Sequence, residues 1–374
     1  MVDKPHRRVL MTTDSVGGVW TYSLELIRAL APHNVHFYLA TMGAAITLQQ
    51  RQELVALTNV TVYESEYQLE WMDNPWAEVD QAGEWLLELS EQLNPDLIHL
   101  NNFCHGQLPW NKPVLMVIHS CVQTWWRALK SENAPSNWNT YFERVRDGLH
   151  AADLVIAPTQ AMLEEATAVY GQFTKKKVIN NGRDPHAFHF GQKEPFIFSM
   201  GRVWDEAKNI ALLTQVADQV SWPIYIAGDA VHPSTGDNKL FKNVHFLGKL
   251  SQREVADWLS RASLYVLPAM YEPFGLSILE AAFSGCALVL GKINSLKEIW
   301  GTSAEYVNTN DAYGLATILQ KLIKDEFLRN IMACRAVKKA QDYTTELMAQ
   351  EYLQAYASLP KREAVIAPDP VETL

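Results

Sequence analysis

The chain has 374 residues, 48% hydrophobic and 20% charged, enough for two domains of ordinary size that each bury a core. Its net charge is −10, with 14 basic against 21 acidic residues up to residue 190 and 18 against 21 beyond it, which argues against nucleic acid as a partner of either half. The longest apolar runs, such as Leu264 to Leu267, are the length of strands, so no transmembrane segment is expected, although peripheral membrane contact stays open. The opening Met-Val-Asp-Lys-Pro-His-Arg-Arg lacks the apolar stretch of a signal peptide, and a cytoplasmic protein is the expectation.

From the N-terminus, strand-length apolar runs alternate with helical patterns. Val9 to Thr12 precedes Val19 to Leu30, Val35 to Ala40 precedes Thr47 to Leu57, and Val60 to Tyr63 precedes Val79 to Leu93. Leu97 to Leu100, Val114 to Ile118 and Leu154 to Ala157 continue the series, and a helix from Thr159 to Tyr170 follows. Gly17 and Gly18, after the first strand, allow close approach of backbone to a diphosphate or a sugar, although they lack the full Gly-x-Gly-x-x-Gly pattern of a dinucleotide loop. His119 ends the run from Pro113, a position that suits a buried, hydrogen-bonded histidine as well as a functional one. Eight of the 12 tryptophans precede residue 190; among them Trp20, Trp125 and Trp126 follow strands that aim at a shared edge, where aromatic faces could stack on an acceptor sugar. The cysteines Cys104, Cys121, Cys286 and Cys334 show no Cys-x-x-Cys spacing and read as reduced thiols of the core.

After a turn at Asn181 to Pro185 the alternation resumes with Phe196 to Met200, Ile224 to Ala227, Val244 to Leu247, Leu264 to Leu267 and Ala287 to Leu290. Helical patterns from Asp311 to Tyr356 close the series. The fold class is therefore α/β: two doubly wound, Rossmann-like parallel-sheet domains facing across a cleft, with the hinge near residues 180–195. Ligands of such sheets bind beyond the carboxyl ends of the strands, where Arg202 and Glu272 fall. Arg202, and Lys208 at the head of the next helix, can converge on a leaving diphosphate. Pro273 and Gly275 introduce a helix from Leu276 to Ser284 whose first amides suit an anion. Glu272 lies just outside that helix and Glu280 about one turn within it, so a phosphate held by the backbone at Phe274, Gly275 and Leu276 would have a hydroxyl-binding carboxylate on either side. A ligand with hydroxyls on both sides of a phosphate bridge is a nucleotide sugar.

Gly201-Arg202, Lys208 and Glu272-Pro-Phe-Gly-Leu with Glu280 together resemble the donor half of the GT-B glycosyltransferases, in particular the retaining family 4. Asp14-Ser-Val-Gly17-Gly18 is similar to that family's N-terminal glycine loop, and Asn181-Gly-Arg-Asp184 to its interdomain Asn-Gly-x-Asp turn. The resemblance implies that Arg202 and Lys208 bind the donor pyrophosphate, Glu272 the transferred sugar and Glu280 the ribose. It implies an active-site role for His119, which orients donor hydroxyls or steadies charge at the reacting carbon; Ser120 stands where the family often has Asp. It also implies that backbone just after Gly248 reads the nucleobase, with Leu250 as its wall, which leaves the base unnamed. The domain expectation is an acceptor-side domain over 1–185, a donor domain over 186–345, a last helix over 346–360 that crosses back to the first domain, and a disordered acidic tail over 361–374.

The implied reaction is transfer of a sugar from a nucleotide-diphosphate sugar to a hydroxyl acceptor, a carbohydrate or small polyol-like molecule. Retention of configuration is implied by the resemblance alone. No cofactor is expected, and no metal, because the chain has no Asp-x-Asp pair and two cations can offset the departing charge. Three alternatives stay open: a nucleotide-sugar epimerase of the same fold, a glycoside hydrolase using Glu272 and Glu280, and a non-catalytic sugar-nucleotide sensor.

Overall fold

A computed structural model of the protein describes residues 7–230 and 243–360. The expected disordered tail over 361–374 lies outside the described residues. In the first half the elements are β1 (Arg7–Asp14), α1 (Gly18–Leu30), β2 (Val35–Met42), α2 (Leu48–Val55), β3 (Val60–Glu64), α3 (Trp76–Leu93), β4 (Leu97–Leu100), β5 (Val114–Val117), α4 (Val122–Lys130), α5 (Asn139–Ala151), β6 (Leu154–Ala157), α6 (Gln160–Tyr170) and β7 (Lys176–Val178). The second half contains β8 (Glu194–Met200), α7 (Ile210–Val216), β9 (Ile224–Ala227), β10 (His245–Gly248), α8 (Gln252–Arg261), β11 (Ala262–Leu267), α9 (Leu276–Phe283), β12 (Ala287–Gly291), α10 (Asn294–Trp300), β13 (Glu305–Val307), α11 (Ala312–Lys324), α12 (Glu326–Ala340) and α13 (Thr345–Ser358).

The chain forms two parallel sheets, a 7-stranded one in the order β3-β2-β1-β4-β5-β6-β7 and a 6-stranded one in the order β10-β9-β8-β11-β12-β13. The central strands are buried on both faces because each is an unbroken apolar run, as in Ile224-Tyr-Ile-Ala227 of β9. Both sheets reverse their order beside their first strands, β1 and β8, which opens a crevice at the carboxyl ends of those strands. Helix starts are fixed locally: the Thr47 hydroxyl accepts from the Gln50 amide, the Ser251 hydroxyl from that of Glu254, and the Thr159 hydroxyl from that of Met162. Two lysines of the basic run Lys175 to Lys177 lie in the short edge strand β7.

The two units share core at two places. Met348, Ala349, Tyr352, Ala355 and Tyr356 of α13 are buried among α1, β1 and β2 of the first domain. There, His99 lies between the hydroxyls of Tyr22, 3.2 Å away, and Tyr356, 2.7 Å away, and stacks on Tyr352. In the other direction, Ala207 and Tyr271 of the second domain belong to a core cluster of the first, and the Tyr271 hydroxyl sits 2.7 Å from that of Thr124. Among the described helices, none is long and apolar enough to cross a membrane.

Candidate active site

Arg202 follows the carboxyl end of β8. Its loop is held by a backbone contact that tolerates no side chain, since a Cβ at Gly228 (φ 140°) would lie 1.8 Å from the Gly201 carbonyl oxygen. A guanidinium nitrogen of Arg202 is 2.9 Å from Asp205 Oδ2, while the side chain stays 45% exposed and its plane approaches the Trp204 ring. Asp205 also caps the turn that carries Lys208, accepting from the Ala207 amide. Burial pushes the Asp205 carboxyl up, but Arg202 and Lys208 outweigh it and leave the group below the usual carboxylate range. Lys208 Nζ donates to Glu272 Oε2 at 2.7 Å. The structure thus brings Arg202, Lys208 and Glu272 together, each cation resting on a carboxylate.

Helix α9 opens at Gly275, whose left-handed backbone (φ 91°) a side chain would strain; an added Cβ would meet Ile278 Cδ1 at 2.6 Å. The Gly275 carbonyl takes the amides of Ile278 and Leu279, and the earlier amides of the turn have no acceptor within the helix. Phe274 is buried edge-on against Tyr343, so its side chain is core and only its backbone can meet a ligand. Leu276 and Leu250 are partly buried against the same cluster, with β10 ending at Gly248 just before Leu250.

Glu280 does not stand open. It is 7% exposed, and its Oε1 lies 3.0 Å from Nε of Arg183, a 2%-exposed residue of the Asn181-Gly182-Arg183-Asp184 turn. The same guanidinium reaches Glu25 Oε1 of α1 at 2.8 Å. Burial pushes the Glu280 carboxyl up; Arg183 pulls it back down, while Glu25 adds to the rise. Arg183, read from sequence only as the variable residue of a turn, is therefore the hub of a buried ionic triad.

On the first domain, His119 Nε2 is 2.8 Å from Asn101 Oδ1, and Asn101 in turn donates its amide group to the Thr12 carbonyl. Because that oxygen can only accept, the imidazole carries its proton on Nε2, and Nδ1 keeps a lone pair. Burial depresses the His119 pKa to about 3, so the ring is neutral at physiological pH. Gly17 (φ 117°) caps α1, and a Cβ there would stand 3.7 Å from an Arg202 nitrogen, so the glycine loop faces that cation of the second domain. Gly18 has open space around it and is the first residue of α1.

Asp14, at the end of β1, entered the sequence reading only as the first residue of the glycine-loop motif, with no role of its own. Its Oδ1 is buried without a hydrogen-bond partner, and burial pushes its pKa up to about 7 against the lowering effects of Arg202 and the Val16 amide, with Glu70 adding to the rise. A carboxyl that ends an apolar strand just before a glycine loop was the signal that could have found it.

One of the three tryptophans departs from expectation. Trp20 is a core side chain, 5% exposed, whose Nε1 donates to Glu53 at 2.8 Å, so it offers no face to an acceptor. Trp125 spans the domains by donating to Asp205 Oδ1 at 3.2 Å, and Trp126 packs obliquely beside it. Trp125 leans its indole on the second domain because α4, a helix missing from the sequence expectation, runs against the Lys208 turn. Further bridges run from Thr159 to the Pro273 carbonyl at 3.0 Å and from Lys130 to Glu206 at 2.9 Å. The Glu298 carboxylate takes the Gln160 and Ala161 amides at 2.7 and 2.8 Å. A cavity of about 270 Å³ lies beside Glu272 and is also lined by Glu165, Lys292 and Asn294. Neither Arg202 nor His119 lines it, which makes it a neighbour of the cation site.

Two family models match consecutive parts of the chain, one described as Glycosyltransferase Family 4 over residues 16–187 and one as Glycosyl transferases group 1 over residues 194–325. D-inositol 3-phosphate glycosyltransferase from Kribbella flavida is 24% identical over 412 residues, covering 95% of this chain and 96% of that protein. Glycogen synthase from Mycobacterium tuberculosis is 26% identical over 230 residues, 57% of this chain and 56% of that enzyme. Among solved structures, sucrose-phosphate synthase from Thermosynechococcus elongatus superposes with a TM-score of 0.80 at 17% identity, covering 94% of this chain and 98% of that one. HepE of Anabaena in complex with UDP-glucose gives 0.74 at 17% identity, covering 95% and 100%. The chain belongs to glycosyltransferase family 4, has the GT-B fold, and is a sugar-transferring enzyme.

Proposed function

We propose that this enzyme moves a sugar from a nucleoside diphosphate sugar to a hydroxyl of a saccharide or small polyol-like acceptor, with retention of configuration and without a metal ion. One observation carries the reading: Arg202 and Lys208 rest on carboxylates, and Glu272, the partner of Lys208, leads directly into the amides of α9. An arriving diphosphate competes for both cations, and Glu272, released from Lys208, turns its carboxylate to the hydroxyls of the transferred sugar. Charge that builds on the leaving diphosphate meets donors already in place. On the same face, the departing phosphate takes the proton of the acceptor hydroxyl. Among the described residues no group of His, Cys, Asp or Glu is set to hold a metal ion, and the two cations supply the charge that such an ion would bring.

On the acceptor side, His119 Nδ1 offers a lone pair to a donor hydroxyl, and Asp14 offers an unused oxygen to an acceptor hydroxyl. Glu280 takes the ribose through the oxygen not held by Arg183. The hydrolase alternative requires Glu272 and Glu280 to face one glycosidic bond as acid and nucleophile, but Lys208 and Arg183 hold them instead. UDP-glucose, seen with HepE, is the first donor to try.

The test is a thermal-shift screen with UDP-, GDP- and ADP-sugars, followed by product analysis with and without acceptors. A sugar nucleotide at about a hundredfold excess over its Kd should stabilise the fold by about 2.7 kcal/mol. Donor-dependent glycosylation of an added hydroxyl acceptor supports the proposal. Binding without turnover would leave a sensor, and a rearranged sugar released without acceptor would identify an epimerase.

A further inference from the structure

The buried triad at the hinge joins both domains to the donor site through one side chain. Arg183 is fixed at both ends. Its amide donates to the Tyr343 carbonyl and its carbonyl accepts from Thr345, so the two crossings between domains are zipped together at this residue. The preceding Gly182 leaves no room for adjustment, since a Cβ there would sit 2.3 Å from the Thr344 carbonyl oxygen. The guanidinium lies 5.3 Å from the centre of the Phe188 ring and extends to Glu25 on one side and Glu280 on the other. Its Nε is within ion-pair distance of Glu280 but without an aligned hydrogen-bond acceptor, and Glu25 Oε2 also has no donor.

Two buried carboxylates sharing one guanidinium depend on it. Without that charge, Glu280 would take up a proton, and a protonated carboxyl accepts hydroxyl hydrogen bonds poorly. The planar fork of arginine reaches two carboxylates at once, whereas a lysine ammonium is a point charge. We infer that Arg183 is a positioning residue for donor recognition, which keeps Glu280 ionised and oriented toward the ribose and ties that grip to Glu25 of the acceptor-side domain. The inference rests on the ribose role proposed above for Glu280.

The experiment measures, by calorimetry, the affinity of the full chain for UDP and for its 2′-deoxy and 3′-deoxy forms, or for the ADP or GDP series if the donor screen selects it. A hydroxyl bonded to a buried carboxylate should make the ribonucleotide bind about tenfold or more tightly than the deoxy form. Glu280→Gln tests the ribose role, and Arg183→Lys tests the positioning role. The expected result is that both variants bring the ribose-to-deoxyribose ratio close to one. Should Arg183→Lys fail to fold, Glu25→Gln combined with Arg183→Gln removes one charge of each sign, and the same collapse of the ratio is expected. Retention of the full ratio in the Arg183 variants, with loss in Glu280→Gln, would show Arg183 to be structural only and overturn the inference. Retention in Glu280→Gln as well would remove the ribose role itself.

Discussion

Lys208 and Glu272 pair at 2.7 Å with both side chains nearly shut off from solvent, 14% and 13% exposed, on elements that meet only through the fold. Under the donor role proposed above, the pair is a latch that an incoming diphosphate would have to open. Lys208→Ala should weaken both nucleotide binding and transfer, because a diphosphate contact goes. Glu272→Ala should abolish transfer and spare nucleotide affinity, since it frees Lys208 for phosphate. Titration calorimetry with the nucleoside diphosphate, beside initial rates, separates the two. An equal loss of nucleotide affinity in both variants would contradict this division of roles.

Adjacent glycines of the N-terminal loop should respond differently. Gly17→Ala forces a side chain into a backbone conformation it avoids (φ 117°) and moves it toward Arg202, so a loss of roughly 1–2 kcal/mol is expected, with a raised donor KM. Gly18→Ala enters open space at the first position of α1 and should leave stability unchanged or raise it by up to about 1 kcal/mol. Urea denaturation of both variants checks the contrast, and equal losses would count against the loop geometry.

Acid should destabilise the protein through buried histidines. Burial lowers His99 and His119 to about 3 and His105 to about 4, so the folded protein holds fewer protons at these sites than the unfolded chain, whose histidines titrate near 6.5. Their contribution is present above about pH 6.5 and is lost as pH falls toward 3–4, each group adding up to about 1.4 kcal/mol per pH unit to the slope. Denaturation at a series of pH values between 4 and 7 should show it. His99→Gln should flatten the slope by about one proton even though it lowers absolute stability, and an unchanged slope would refute the assignment.

Asp14 works in the opposite direction. With its pKa raised to about 7 it stays protonated in the folded protein over a range where the unfolded chain is ionised. Its contribution is therefore complete below the ordinary value near 3.8 and is lost as pH rises through 7. Asp14→Asn should leave stability at pH 4 almost unchanged and raise it at pH 8, on the order of a few kcal/mol. Transfer should fall in the same variant, chiefly through acceptor KM, which is the pattern of a functional group kept at a cost in stability.

Most of the scaffold was legible because parallel strands buried on both faces write themselves as unbroken apolar runs; Leu97 to Leu100 and Ile224 to Ala227 match their strands residue for residue. The three-residue edge strand β13 was missed because so short a run shows no alternation, and helix α4 was missed although its apolar and polar residues divide between two faces. In the site, Arg202, Lys208, Glu272 and the turn at Gly275 could be read because charge and glycine sat at strand and helix ends. Trp20 and Phe274 look identical in sequence whether they face a cleft or a core; tertiary packing alone decided that they are core. The Glu25–Arg183–Glu280 triad joins residues from three distant segments, and no local pattern announces such a meeting.

Because Met348, Tyr352 and Tyr356 complete the packing around Tyr22 and His99, the opening half of the polypeptide cannot finish its interior until α13 has been synthesised. The earlier half leaves the ribosome with an uncovered apolar face, waiting for a helix more than 150 residues downstream of its last strand. Production of the two lobes as separate polypeptides would strand that face in water, so the gene divides cleanly only if the final helix travels with the opening lobe.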